Sequence, residues 1–222
     1  MGIAKIASAI GFNPDWNYSP APAIDTTGAN LIVVMSAGYN AADLCSDNKG
    51  NSWTKLTKRG SSGVVWCYYC LNPTVGSGHT FSVGRNGYGN IEMIMAFSGV
   101  KNATAFDQES GRGDVNAASL QPGSLTPAEN GELLITGLYN GDARTPTINS
   151  GFTREFYYAD GTTQNTGAMG YLIQGTAAAI NPTWSWSGSV NSSVEMACFK
   201  AAAVASANVP LAALIQNGGI NV

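Results

Sequence analysis

The sequence contains few charged residues. Of its 222 residues, 14 are acidic, 11 are basic and one is histidine, so the charged fraction is 11% and the net charge is −3 at pH 7. Soluble domains usually carry about 25% charged residues. Proteins that bind nucleic acids or anionic membranes normally have a surplus of basic residues. We therefore expect no nucleic-acid partner and no membrane insertion. The hydrophobic content of 44% is nevertheless typical of a folded chain.

Histidine is almost absent, which limits the possible chemistry. Any Ser-His-Asp or Cys-His arrangement would depend on His79, the only histidine. This residue follows a Gly-Ser-Gly turn at the start of a short apolar segment, where a histidine typically orders a loop. The sequence also lacks a G-x-S-x-G motif. We therefore predict a non-enzymatic protein with no catalytic residue and no cofactor.

The four cysteines are too few for a disulfide scaffold. Cys67 and Cys70 form a C-x-x-C motif within an apolar segment that we predict to be a strand. Positions i and i+3 of a strand point to opposite faces, so these two sulfurs cannot share a zinc ion. We predict buried free thiols at Cys45, Cys67, Cys70 and Cys198. Disulfides within or between chains are the alternative.

Long hydrophobic runs are also missing. The longest apolar stretch, residues 201–215, is interrupted by Ser206, Asn208 and Pro210 and is too short to span a bilayer. The first residues lack the continuous apolar segment and the cleavage site of a signal peptide. We therefore expect synthesis in a cytoplasm without cleavage.

Short apolar segments separated by turn-forming residues are abundant, whereas no helical periodicity is found. This pattern predicts an all-β fold with ten strands. The predicted strands are 31–37, 52–57, 64–70, 79–83, 91–97, 133–139, 152–158, 168–173, 183–188 and 194–200.

The second half of the sequence repeats the first at an offset of about 100 residues. Five segments of the first half have similar segments in the second half, in the same order. The last three of these pairs are separated by 103 residues, which aligns Glu92 with Glu195. Two five-strand halves can pack face to face or exchange strands between two sheets. We predict the second arrangement, a jelly-roll-like β-sandwich. The predicted organisation is an N-terminal arm (1–25), one sandwich domain (26–200, with pseudo-repeats 27–100 and 129–200) and a C-terminal arm (201–222).

Carboxylates suggest two further kinds of site. Glu92 and Glu195 could form a pair for glycoside hydrolysis, but we expect each to lie on an exposed or subunit-facing sheet surface. A second group could offer oxygen ligands to calcium, but its spacing differs from an EF-hand, and we predict a hairpin turn and no metal. This group consists of Asp43, Asp47, Asn48 and Asn51.

Five sequence blocks within residues 26–200 resemble the jelly-roll, concanavalin-like β-sandwich domains of bacteriophage virion proteins and bacterial surface proteins. The blocks are TTGANLIVV, SDNKGNSWTKL, YYCLNPTVGSGHTFSV, MIMAFSGV and PGSLTPAENGELLIT. The resemblance implies a sandwich that serves as a decoration, fibre or sugar-binding module.

Our first functional hypothesis is a structural protein of a bacteriophage particle, located in the virion as a capsid decoration, collar or tail component. It would form a homo-oligomer and contact other virion proteins through apolar arms. The candidate contact residues are Ile6, Ile10, Phe12, Trp16, Leu211, Leu214 and Ile215. The alternative for these arms is packing against their own sandwich.

The second hypothesis is a carbohydrate-binding module that recognises host or environmental glycans, placed outside the cell or at its surface. Sandwich lectins stack aromatic rings on sugars, and four tyrosines fall at predicted strand ends or in loops. These candidate glycan contacts are Tyr39, Tyr88, Tyr139 and Tyr158.

Overall fold

A computed structural model describes residues 2–13, 21–39, 43–83, 88–162 and 164–203. Within these ranges the fold is all-β, as predicted, and no helix is long and apolar enough to cross a membrane. The strands are β1 (Ala4–Asn13), β2 (Leu31–Tyr39), β3 (Cys45–Asp47), β4 (Thr54–Lys55), β5 (Gly63–Leu71), β6 (Phe81–Val83), β7 (Tyr88–Ser98), β8 (Phe106–Leu120), β9 (Glu132–Asn140), β10 (Thr147–Ile148), β11 (Thr153–Asp160), β12 (Asn165–Gln174) and β13 (Trp184–Phe199).

The strands form two large antiparallel sheets and one small one. The first sheet has the order β1-β7-β2-β5-β4, and the second has the order β10-β13-β9-β12-β11, with β8 also paired to β13. The small sheet contains β3 and β6. Strands of residues 4–98 build the first sheet and strands of residues 106–199 build the second. The structure therefore lacks the exchange of strands between sheets that our jelly-roll prediction required.

The three central strands of each sheet pair in the same register. In the first, Leu31 pairs with Leu71 and with Phe97. In the second, Leu133 pairs with Ile173 and with Phe199. Each residue number is 102 higher than its counterpart, whereas the sequence blocks suggested an offset of 103. This difference matters because a slip of one residue exchanges the two faces of a strand.

The main core lies between the two large sheets. It includes Val33 and Met95 of the first sheet, and Ile135 and Phe199 of the second. Alternate residues face outward, and these are also buried, under the small sheet in one case and under long connections in the other. Central strands buried on both faces are continuously apolar rather than alternating, which explains why the sequence pattern located them.

Within the predicted N-terminal arm, residues 4–13 form a strand of the protein's own first sheet. β1 pairs with β7 along its whole length, and Ile10 and Phe12 pack against the main core. The register skips Ile6, whose side chain is 40% exposed. For residues 4–13 the alternative is therefore the correct one, since they pack on the protein's own first sheet. The candidates Trp16, Leu211, Leu214 and Ile215 lie outside the described residues.

Strands β1 and β11 form neighbouring edges of the two sheets and are joined by side chains. The register of β11 skips Glu155, as that of β1 skips Ile6. Glu155 accepts hydrogen bonds from Lys5 and from Ser8, and its carboxylate forms a salt bridge with Lys5. Bulges and charged residues at sheet edges prevent pairing with other chains. These two edges are therefore poor sites for open-ended strand addition.

The polar stretch between the two halves contains β8, which is not among the ten predicted strands. Residues 106–111 of this strand are half-buried, and the residues after them mostly alternate between exposed and half-buried positions. A polar edge strand has no apolar alternation, so sequence patterns do not reveal it. The short strands β3 and β10 also contain too few apolar residues to be recognised.

Candidate functional site

The four candidate tyrosines lie at one end of the two sheets. Tyr39 ends β2 and pairs with Tyr88 at the start of β7. In the second sheet, Gly167 pairs with both Tyr139 and Tyr158. The two sheets meet at this end, because a Cβ atom on Gly63, the partner of Tyr39, would lie 2.0 Å from the Tyr139 ring. The fold thus brings together residues that the sequence could only place at strand ends.

Two of these tyrosines are accessible. Tyr39 is 48% exposed and Tyr158 is 37% exposed. The Tyr158 ring stacks on Phe12 with a centroid distance of 4.4 Å, so part of its surface is covered by β1. The side chain of Tyr88 lies outside the described residues. Tyr39 and Tyr158 are therefore the candidates that a ligand can reach.

Tyr139 is buried, so our expectation that it contacts a glycan is wrong. Only 2% of its surface is exposed, its ring belongs to the main core, and its hydroxyl group donates a hydrogen bond to Asn165 Oδ1 at 2.9 Å. Burial raises its pKa to about 12. The reason for the difference from Tyr39 is the neighbouring Gly63, whose missing side chain leaves space for the Tyr139 ring.

Glu92 and Glu195 are buried rather than exposed, which corrects the prediction for both. Glu92 is 3% exposed and Glu195 is 0% exposed. Glu92 shares the outer face of the first sheet with Ile94, whereas Glu195 shares the inner face of the second with Ala197. Different faces of different sheets cannot flank one glycosidic bond. The two residues therefore do not form a hydrolytic pair.

The two buried glutamates differ in their partners. Glu92 Oε2 accepts a hydrogen bond from the Ala21 amide at 2.9 Å, and burial raises its pKa to about 7. Glu195 Oε2 accepts a hydrogen bond from Arg59 Nε. Burial, opposed by Arg59 and assisted by the nearby Glu109 carboxylate, raises the pKa of Glu195 to about 8.

His79 orders a loop, in agreement with the sequence analysis. It is fully buried, stacks on Phe81 at 4.4 Å and has its Nδ1 atom 2.9 Å from the Thr26 hydroxyl. Its Nε2 atom lies 3.6 Å from the Asp47 carboxylate. Burial lowers its pKa, although Asp47 opposes this shift. A buried, neutral histidine inside a set of loop contacts has no access to a substrate.

The candidate calcium residues form a turn, as expected. Asp47 Oδ1 accepts hydrogen bonds from the backbone amides of Lys49 and Asn51, at 2.8 and 3.2 Å. Asn48 donates to the Gly78 carbonyl group. Asp43 pairs with Lys55. These oxygens and amides are occupied by the turn itself.

All four cysteines are free, as predicted, and three of them are buried. Cys67 and Cys70 have no shared ligand site because they point to opposite faces of β5. Burial raises the pKa of the Cys70 thiol to about 11 and that of Cys198 to about 12. Thiols with raised pKa values are poor nucleophiles at neutral pH.

A cluster that the sequence analysis missed lies on the outer face of the second sheet. Asp107, Glu132 and Cys198 each offer one ligand atom, and these atoms lie within 4.8 Å of one another. They belong to three different strands, β8, β9 and β13. No sequence spacing connects them, so only the pairing of these strands reveals the cluster.

An apolar surface cavity of about 310 Å³ lies beside the beginning of β1 and the end of β12. Its lining includes Ile3, Ile173 and residues 201–203. Ile173 is 38% exposed, which is high for a large apolar side chain on a strand. This cavity is a possible contact surface for apolar side chains.

Comparison of the chain with protein-family models, with curated protein sequences and with solved protein structures finds no match. Its function has to be inferred from the surfaces and side chains described above.

Proposed function

We propose that this chain is a non-enzymatic structural protein of a bacteriophage particle, as a capsid decoration, collar or tail component that acts through subunit contacts. The observation that carries this proposal is the apolar cavity beside Ile173. Exposed apolar surface of this kind is typical of contact sites between proteins. The sequence resemblance to virion sandwich domains and the low charge support the same function.

The proposed occupant of the cavity is the apolar C-terminal sequence of a second copy of the chain. Residues 204–222 contain Leu211, Leu214 and Ile215 and carry no charged side chain. Such a sequence matches the apolar lining of the cavity in chemistry. The particle would then be built from homo-oligomers in which each subunit contributes a cavity and a C-terminal segment.

Light scattering on three variants tests this proposal. We expect a stable homo-oligomer for the natural chain, and smaller species after deletion of residues 205–222 or after Ile173→Glu. Leu44→Glu is the matched control, because Leu44 is 39% exposed but does not line the cavity. The subunit-contact function is contradicted if the natural chain is monomeric, or if neither the deletion nor Ile173→Glu changes the size of the oligomer. Absence of the chain from purified particles contradicts the virion location.

We also infer that the two halves are internal repeats of one sandwich. The support is the common strand order of the two large sheets and their common register, shifted by 102 residues. A sheet of five strands has an apolar face that it cannot bury alone, and pairing with a second copy covers it.

A carbohydrate-binding function is the second candidate, favoured by the tyrosines at one end of the sheets. Tyr39 and Tyr158 present exposed rings there, and the half-buried Asp160 contributes a carboxylate at the end of β11. Aromatic rings with a nearby carboxylate are suited to sugars, which offer apolar ring faces and hydroxyl groups.

A glycan array tests this second candidate, with Tyr39→Ala and Tyr158→Ala as the variants. We expect each to lower glycan retention; Tyr39→Ala should leave the thermal midpoint unchanged, whereas Tyr158→Ala should lower it slightly because the Tyr158 ring also stacks on Phe12. Tyr157→Ala is the control, since Tyr157 is 42% exposed but is the neighbour of Tyr158 and points to the other face of β11. An array without signal at high protein concentration rejects glycan binding. Tyr139→Ala instead tests the packing of the core, and we expect it to lower the free energy of unfolding by about 3–5 kcal/mol.

A further inference from the structure

The cluster of Asp107, Glu132 and Cys198 is positioned by the backbone of three strands. Cys198 of β13 pairs with Leu134 of β9, and alternation places Glu132 on the same outer face as Leu134. In β8, the register passes from Gln108 to Phe106 and skips Asp107. A bulge of this kind redirects a side chain. The three groups therefore converge through a local irregularity.

The cluster is buried and contains an unsatisfied oxygen. Glu132 and Cys198 are 0% exposed, and the Asp107 side chain is 8% exposed. Glu132 Oε1 accepts a hydrogen bond from the Glu129 amide at 2.9 Å. Glu132 Oε2 has no hydrogen-bond partner among the described residues. The neighbouring Cys198 Sγ lies 3.8 Å from Asp107 Oδ2, so the thiol contacts this group of carboxylates. Buried polar atoms are nearly always paired, and Glu132 Oε2 can therefore accept a further ligand beside the thiol and the second carboxylate.

We propose that Asp107, Glu132 and Cys198 bind a divalent transition-metal ion of the zinc class. Thiolate and carboxylate oxygen are both ligands of zinc, and the thiolate distinguishes this site from a magnesium or calcium site. On binding, a metal–sulfur bond forms at Cys198 Sγ and the thiol proton passes to solvent. The unpaired lone pairs of Glu132 Oε2 then have a partner.

Lys200 is the competitor for this site. Its Nζ atom lies 2.9 Å from Asp107 Oδ1, and Lys101 pairs with Glu129 at the periphery. Asp107 Oδ2 also accepts hydrogen bonds from the Ala128 amide and from the side chain of Gln108. The Lys200 side chain is 21% exposed and can turn into solvent. A bound ion would replace the ammonium group beside Asp107, so removal of Lys200 should strengthen metal binding.

Titration of the chelator-treated full chain with Co²⁺ tests the site directly. The absorption spectrum of bound Co²⁺ depends on its ligands, and a thiolate ligand adds a charge-transfer band to it. We expect one ion per chain with such a band, and competition by Zn²⁺ at the same stoichiometry. Cys198→Ser should abolish the band and weaken metal binding at least about tenfold. A loss of this size is already typical when a group that only hydrogen-bonds to a metal ligand is removed. Cys70→Ser is the control, because Cys70 is a buried free thiol of the other sheet.

Two further variants keep the test decisive if Cys198→Ser folds poorly. Glu132→Gln preserves the side-chain volume and should weaken Co²⁺ binding, whereas Lys200→Met should strengthen it. Absence of stoichiometric binding to the natural chain overturns the proposal, as does a cobalt spectrum that Cys198→Ser leaves unchanged. The site does not depend on the proposed assembly, so the deletion of residues 205–222 should leave metal binding intact.

Discussion

Glu92 and Glu195 occur in the same local sequence, Glu-Met, on β7 and β13, the strands with equivalent places in the two sheets. Their surroundings are nevertheless different. Glu92 faces outward beneath the connection that contains Ala21, with one backbone amide as its partner. Glu195 faces the core between the sheets and contacts Arg59, which also lies 3.6 Å from Glu109.

The difference shows how a shift of one residue changes the role of a motif. Register assigns Met93, not Glu92, as the counterpart of Glu195, because Met35 pairs with Met93 and Gly137 pairs with Glu195. Burial of a carboxylate is unfavourable unless it is neutralised or paired. Burial raises the pKa of both groups into the neutral range, but Glu92 has a single backbone amide as its partner, whereas Glu195 has an arginine from the other half of the chain that opposes the shift.

The largest effect is expected for Arg59→Met. This change leaves Glu195 and Glu109 without their shared cation, and loss of one partner of a buried pair typically costs about 3–5 kcal/mol. Urea unfolding at pH 8 measures it. As the pH falls from 8 to well below 4.5, Glu195 becomes neutral in both states, so the part of the loss that depends on its charge should disappear.

Lys58→Met is the control for Arg59→Met. It removes the same charge from the neighbouring residue, which is exposed, so we expect a change within about 0.5 kcal/mol. If both variants lose the same stability, Arg59 does not stabilise the buried carboxylates.

A smaller effect of opposite sign is expected for Glu92→Gln. The folded-state pKa of Glu92 is about 7, above its ordinary value of 4.5, so the natural chain loses stability as the pH rises from 4.5 through 7. Glutamine cannot ionise, and the variant should be more stable by about 1–3 kcal/mol at pH 8 and nearly unchanged at pH 4.5.

Thermal unfolding across this pH range measures the difference between Glu92→Gln and the natural chain. Glu129→Gln, at an exposed carboxylate, is the matched control for the removal of one acidic group. A difference between Glu92→Gln and the natural chain that is constant with pH would show that Glu92 keeps an ordinary pKa.

An effect of similar size is expected at another pair of equivalent positions, Met35 and Gly137. A Cβ atom on Gly137 would lie 2.2 Å from Met35 Sδ, so the side chain of one sheet fills the space left by the other. Gly137→Ala should therefore destabilise the protein by about 1–3 kcal/mol. Urea unfolding measures it, and Gly175→Ala, with no atom within 4 Å of the added Cβ, is the neutral control.

Combining Gly137→Ala with Met35→Val sharpens this comparison. The two residues are in contact, so the double variant should lose less stability than the two single variants together. Additive losses would mean that the added methyl group is not opposed by Met35.

Much of the fold follows from local sequence patterns. The ten predicted strands overlap observed strands, because central strands with two buried faces require continuous apolar residues such as those of β2 and β9. Strand β8 could not be predicted, since a polar edge strand carries no such signal. The exposure of individual side chains was also beyond prediction: Tyr39 and Tyr139 have the same local sequence, but Gly63 leaves space for only one of them in the core.

The sequence by itself determined the all-β class and the loop-ordering role of His79, and it predicted the free thiols and a repeat of the strand pattern. These depend on composition and on periodicity within a few residues. Only the tertiary structure decided that each half forms its own sheet, that Glu92 and Glu195 are buried on different faces, and that Asp107, Glu132 and Cys198 converge. The physical reason is register, because pairing between distant strands determines which face each side chain joins.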